Sequence, residues 1–190
     1  MNPRPERWAR LVNPGSAAGV LALALLAAVA AAGADAGKKA ATPTPKTITA
    51  VDLKGLLSQA RGTATLVHVW ATWCPPCREE FPSIVRFHEA YASHGIKLIL
   101  VSADASGKRD PVVKFLAQQG VTFPSYIINN PDDAFIDTLC TNWTGTLPSS
   151  FFFGPEGGLR QWWEGPADYD RYQGEAEALL KPNKQTEARP

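Results

Sequence analysis

The chain has little of what builds a metal centre. Its 190 residues contain three cysteines, three histidines and one methionine. A closed zinc site takes four nitrogen or sulfur ligands, and beyond Cys74 and Cys77 only Cys140 and the scattered His68, His88 and His94 remain. No Met-rich or His-rich segment is present, which weighs against a carrier of soft metals. Charge of one sign is also missing: the formal net charge is +1, and no basic field points to nucleic acid. No internal repeat divides the chain, and 45% hydrophobic residues suffice for a single core.

One long uncharged run is present, from Ser16 to Ala34, preceded by Arg4, Arg7 and Arg10 and followed by the small-x-small site Ala34-Asp35-Ala36. This pattern predicts an export signal cleaved after Ala36. The run is near the length that spans a bilayer, so an uncleaved N-terminal membrane anchor is the competing reading. Either way the cysteines are expected outside the cytoplasm, in the periplasm or an equivalent compartment, tethered to the inner membrane if the anchor stays. No cysteine near that site could be lipidated. Residues 1–36 carry three arginines against Glu6 and Asp35, so their removal brings the charge from +1 to zero. The remainder reads as an extended linker over 37–47, one domain over 48–181 and a polar, disordered tail over 182–190.

The most informative segment is Trp73-Cys74-Pro75-Pro76-Cys77, which directly follows the apolar run Leu66 to Ala71 and directly precedes a helical pattern. Proline disfavours helical backbone in the residue before it, so Pro75 holds Cys74 extended, as an N-cap requires, and starts the helix itself. The Cys74 sulfur then faces free N–H groups and the positive end of the helix dipole, which lower its pKa from about 8.5. Cys74 is the expected nucleophile. Cys77, one turn along, lies on the same face within disulfide reach and is the expected resolving thiol. Pro75 and Pro76 remove two N–H donors, leaving mainly those of Cys77 and Arg78 for the sulfur. The depression should be moderate and the couple reducing, because a strong oxidant needs a strongly stabilised thiolate. A purely structural disulfide closing so short a loop would remove little unfolded-chain entropy.

The remaining pattern predicts alternating strands and helices. Helices are expected from Val51 to Ala60, from the motif to near Ser93 with a kink at Pro82, from an Asp110-Pro111 cap to Gln118, from Asp132 to Cys140 and from Ala167 to Leu180. Strands are expected at Thr65 to Ala71, Ile96 to Val101 and Phe123 to Ile128, with a closing hairpin of Ser149 to Phe153 and Leu159 to Trp163. Strand, helix, strand in this order implies a right-handed parallel crossover.

From Lys46 to Lys181 the chain resembles the thioredoxin superfamily, and within it the TlpA/ResA/CcmG-like thiol-disulfide oxidoreductases. The resemblance rests on Trp70-Ala71-Thr72-Trp73, the Cys74 to Cys77 motif, Glu80-Phe81-Pro82, and Gly145-Thr146-Leu147-Pro148 before Ser149 to Phe153 and Gly154-Pro155-Glu156-Gly157. It implies an α/β thioredoxin fold, a central mixed β-sheet flanked by helices on both faces. It also implies a cis Pro148 beside the cysteines and a Glu80 buried below the resolving thiol. Thr146, Leu147 and Pro148, with Trp73, Pro75 and Pro76, are the implied substrate contacts. No cofactor beyond the Cys74–Cys77 disulfide is implied. The implied partners are exported proteins with disulfides, such as apocytochrome c or copper-site assembly factors, and a membrane thiol reductant of the DsbD or CcdA kind. A monomer is expected.

Glu80 shares a helical face with Cys77, where burial would raise its pKa and suit it to take the proton of the resolving thiol. His68 departs from the family pattern: it stands where classical thioredoxins carry a buried acid and many TlpA-like proteins an asparagine. It reads as a packed core histidine, with a proton relay to Glu80 as the sharper alternative. His88 and His94 read as structural or surface positions, Cys140 as a small buried hydrophobe, and Trp143, Trp162 and Trp163 as packing. The function read here is reduction of disulfides in exported proteins. The alternatives are a disulfide oxidase or isomerase, disfavoured because no histidine lies between the cysteines, and a non-enzymatic copper-delivery module.

Overall fold

The computed structural model describes residues 41–129 and 132–181. The expected signal or anchor over 1–36, the first part of the linker and the tail over 182–190 lie outside the described residues. Six strands form one sheet in the order β1-β4-β3-β2-β5-β6: β1 Lys46–Ile48, β2 Ala64–Trp70, β3 Ile96–Ser102, β4 Ser125–Ile128, β5 Ser149–Phe153 and β6 Leu159–Glu164. The strands β1 to β4 are mutually parallel, while β5 runs antiparallel to both β2 and β6. The helices are α1 Ala50–Gln59, α2 Pro75–Tyr91, α3 Arg109–Gln118, α4 Asp133–Leu139 and α5 Tyr169–Leu180. Among the described residues no helix is long and apolar enough to cross a membrane.

Strand β2 is buried at every position, as a strand covered on both faces must be. Its alternate residues serve two layers. Leu66 and Trp70 pack with Phe81, Ile84 and Phe87 of α2, Val112 and Leu116 of α3, and Tyr172 and Ala176 of α5. Val67 and Val69 pack on the other face with Leu53 of α1 and Phe135 and Leu139 of α4. The central mixed sheet flanked by helices on both faces is therefore present, and it is the thioredoxin fold.

Two expectations are corrected. Lys46 and Thr47 belong to β1, paired with Tyr126 and Ile127, not to a linker over 37–47; three residues are too short a run to show a period. Helix α3 starts at Arg109, after a single 3-10 turn over Ser106–Lys108, so Asp110 lies in the first turn and does not cap it. Pro111 is tolerated there because the first N–H groups of a helix have no internal acceptor. On α2, Phe87 is fully buried between Tyr91, Phe152 and Tyr172, whereas Val85 and Tyr91 are only partly buried. Helix α2 passes through Pro82 as one element of 17 residues.

Phe87→Ala should destabilise the domain by about 3–5 kcal/mol, since a large aromatic is lost from a closed core. Urea denaturation followed by far-UV circular dichroism measures it.

Candidate active site

Strand β2 ends at Trp70, and the chain turns at once into α2. The turn is short: the Cys74 N–H reaches the Ala71 carbonyl at 3.2 Å. Cys74 is the N-cap, extended at φ −96° and ψ 106°, with Pro75 and Pro76 in the first two helical positions. Its sulfur accepts from the Cys77 N–H at 3.3 Å and is bonded to the Cys77 sulfur as a disulfide. The Arg78 N–H, expected as a second donor to that sulfur, instead bonds the Cys74 carbonyl at 3.2 Å. That carbonyl is the proper acceptor four residues back in a helix, so a single main-chain N–H is left for the sulfur. Cys74 is 3% exposed and Cys77 not at all, in the order expected of attacking and resolving thiols. Trp73 is 66% exposed and Pro75 is exposed beside it, which leaves the indole and the ring free to meet another protein.

A carboxylate overlooked in the sequence holds this turn. Asp104, buried just after β3, accepts from the Thr72 N–H at 2.9 Å and the Thr72 hydroxyl at 2.5 Å, and from Ser102 Oγ at 2.7 Å. The residue before Trp73 is thereby tied to the neighbouring strand. The sequence signal was an acid two residues past the end of a mostly apolar strand.

Glu80 is buried on α2, 4% exposed, while its neighbour Glu79 is in solvent. It is held by Tyr172 on α5, whose hydroxyl donates to Oε1. Tyr172 also contacts Ser150 Oγ at 2.9 Å, and Ser150 meets His68 Nδ1 at 3.0 Å. Tyr172 and Ser150 were missed; each is a polar group in an otherwise apolar stripe, as His68 is. Burial pushes the Glu80 carboxyl up to about 7 against opposing contributions from the Tyr172 hydroxyl, the Ala167 backbone and Arg171. Burial pushes His68 down to about 3 and raises the Tyr172 phenol above its ordinary value. His68 Nδ1 and Glu80 Oε1 stand 4.0 Å apart, yet burial favours the neutral form of both, so they are not an ion pair near neutral pH. His68 is packed and neutral.

The Leu147–Pro148 peptide bond is cis. Gly145, at φ +82°, turns the chain into this segment, in backbone that favours glycine. Thr146 is exposed, Leu147 half-buried and Pro148 buried, and Leu147 packs against the cluster that contains Cys74 and Cys77. The Thr146 carbonyl is already occupied, accepting from Ser149 Oγ at 2.6 Å and Trp143 Nε1 at 3.2 Å. Strand-like pairing at this segment would therefore fall to Leu147. Trp143 and Trp162 pack in one core layer and Trp163 in the other, so they form no cage. Cys140 is a half-buried free thiol, His88 lies against Phe123 and His94 is at the surface. Among the described residues no three His, Cys, Asp or Glu side chains come together as metal ligands.

The two buried titrating groups act on stability with opposite sign. A folded-state pKa below the unfolded value, as for His68, removes stability as pH falls from 6.5 towards 3. One above it, as for Glu80, removes stability as pH rises from 4.5 through 7. Glu80→Gln should therefore gain on the parent protein as pH rises through that window, by up to about 3 kcal/mol, and His68→Asn should gain on it as pH falls. Denaturation midpoints from pH 4 to 8 read both.

A sequence model of the AhpC/TSA family matches residues 38–162. Sporulation thiol-disulfide oxidoreductase A of Bacillus subtilis is 26% identical over 148 residues, covering 77% of this chain and 87% of that protein. Thiol-disulfide oxidoreductase ResA of the same organism is 30% identical over 101 residues, 53% of this chain and 52% of ResA, so the match spans about half of ResA. Among solved structures, a thiol:disulfide interchange protein of the thioredoxin family from Chlorobium tepidum superposes with a TM-score of 0.56 at 24% identity, covering 65% of this chain and 83% of its own. With its Cys74–Cys77 pair at the head of α2, the chain belongs to the AhpC/TSA family and is a thiol-disulfide oxidoreductase of the thioredoxin fold.

Proposed function

We propose that the protein works outside the cytoplasm as a reductase of protein disulfides, delivered there by the signal or anchor read in residues 1–36. The observation that carries the direction is the single main-chain donor at the Cys74 sulfur. One N–H and the helix dipole favour the thiolate enough to make it a nucleophile, but far less than a full set of donors would, and a weakly stabilised thiolate belongs to a reducing couple.

In the reduced enzyme the Cys74 thiolate attacks one sulfur of a substrate disulfide, forming a mixed disulfide and expelling the other substrate sulfur, which takes a proton from water. Cys77 then gives its proton to the Glu80 carboxylate and attacks Cys74. The Cys74–Cys77 bond forms, the second substrate thiol leaves, and two electrons have passed to the substrate. A carboxyl near pKa 7 is matched to this task, since it accepts a proton at neutral pH and returns it easily. Trp73, Pro75 and Pro76 would border the substrate segment, with Leu147 offering main-chain contact, Pro148 fixing its position and Thr146 a surface side chain. The disulfide is the only redox group this reading requires. Electrons would return from a membrane dithiol reductant of the DsbD or CcdA kind. Apocytochrome c or a copper-site assembly factor is the substrate class the family resemblance favours.

The purified domain should reduce a model disulfide in the presence of a dithiol, and Cys74→Ser should abolish this. Its reduction potential should lie nearer that of thioredoxin, about −270 mV, than that of DsbA, about −120 mV; a value at the DsbA end overturns the reductase reading. Glu80→Gln should slow resolution of the mixed disulfide and flatten its dependence on pH in stopped flow, with the Cys74 attack less affected. Cys77→Ala in the native host should hold physiological substrates on Cys74 for identification.

A further inference from the structure

Three polar side chains interrupt apolar stripes that face α2: His68 in β2, Ser150 in β5 and Tyr172 in α5. The sheet register pairs His68 with Ser150, so both point into the same layer. Tyr172, one turn before the buried Ala176, brings its hydroxyl over them. All three are buried, and they touch in single file: His68 Nδ1 to Ser150 Oγ at 3.0 Å, Ser150 Oγ to Tyr172 Oη at 2.9 Å, and Tyr172 Oη to Glu80 Oε1.

Counting protons gives this file a direction. A phenol has one hydrogen, and Tyr172 gives it to Glu80. Its oxygen can then only accept from Ser150. The one hydrogen of Ser150 is thus used on Tyr172, so Ser150 must accept from His68. His68 must then carry its hydrogen on Nδ1, with Nε2 a bare acceptor that meets no protein donor. Every bond runs towards Glu80, and one carboxyl oxygen is occupied. The other, Oε2, has no protein hydrogen bond of full geometry among the described residues, the Ala167 backbone lying close enough only to favour the charged carboxyl.

We propose that Tyr172 is the positioning residue of Glu80, backed by Ser150 and His68 in a one-way donor chain that occupies Oε1 and leaves Oε2 to exchange the proton of Cys77. This rests on the reading of Glu80 as the proton acceptor in resolution. Cys77 stands three residues before Glu80 on the same helix, while Tyr172, Arg171, the Ala167 backbone and, 4.0 Å away, His68 act on the carboxyl from outside it. Among them Tyr172 makes the close hydrogen bond, and a bond donated to the charged form holds a carboxyl pKa down. His68 in this scheme never carries the proton. It supplies a fixed donor, which its neutrality allows.

The test uses the oxidised, resting protein. Nitrogen-15 NMR of His68 from pH 5 to 9 should show the neutral Nδ1–H tautomer throughout, and Ser150→Ala, which removes the acceptor, should shift His68 towards Nε2–H. Carbon-13 NMR of the Glu80 carboxyl should show its midpoint rising by about one pH unit in Tyr172→Phe, the size expected when a hydrogen bond to a charged group is lost, with the stopped-flow resolution profile rising alike. An Nε2–H tautomer in the parent protein overturns the chain, as does a Glu80 midpoint unmoved by Tyr172→Phe. Should Tyr172→Phe fail to fold, the tautomer measurement on the parent protein and on Ser150→Ala still decides. These spectra need no turnover, so a failure of the chain is distinct from a failure of Glu80 in resolution, which the Glu80→Gln kinetics report.

Discussion

Everything in this domain is arranged around one junction, where a fully buried strand must hand its chain directly to a helix. The first N–H groups of a helix need acceptors from outside it, and here one acceptor is sulfur. Cys74 therefore satisfies the helix and is activated by it in the same bond. The strand supplies rigidity from behind, the two prolines fix the entry angle, and Asp104 ties Thr72 to the end of β3. Nothing at the junction is left to a mobile loop, so the geometry of the redox pair follows from the packing of β2 between two layers.

Below that junction the core accepts groups that apolar side chains could replace at less cost. A carboxyl and an imidazole, both buried, are each forced away from their ordinary pKa by desolvation. Their penalties grow in opposite directions, that of His68 as pH falls and that of Glu80 as pH rises. Between the ordinary pKa of glutamate and that of histidine the two slopes oppose one another, which gives this pair a flatter combined dependence on pH than either group would impose alone.

The parts legible in the sequence are those whose physics is local. The Cys74 cap, its prolines and the i+3 partner follow from neighbours within one turn, and the parallel core strands follow from unbroken apolar runs. The parts that were not legible depend on which strand lies beside which. Ser150 acquires a role only because the register sets it opposite His68, and Tyr172 only because α5 crosses the layer under α2. Asp104 gains its role by reaching back 32 positions to Thr72. Strand β1 was hidden by brevity, and the Arg78 N–H was assigned to sulfur because counting donors does not tell which acceptor each one meets. The clue that could have been used was common to Ser150 and Tyr172: a polar residue sitting in an otherwise apolar face.

Because β1 runs parallel to β4, β3 and β2, the chain enters the sheet at the pole where β2 begins, and the Cys pair lies just past the pole where β2 ends. Seven residues of strand separate the two poles, roughly 23 Å at the usual rise, and three strand spacings, about 14 Å, separate β1 from β2 sideways. Anything that grips the polypeptide ahead of Lys46 pulls on the far corner of the domain from its disulfide.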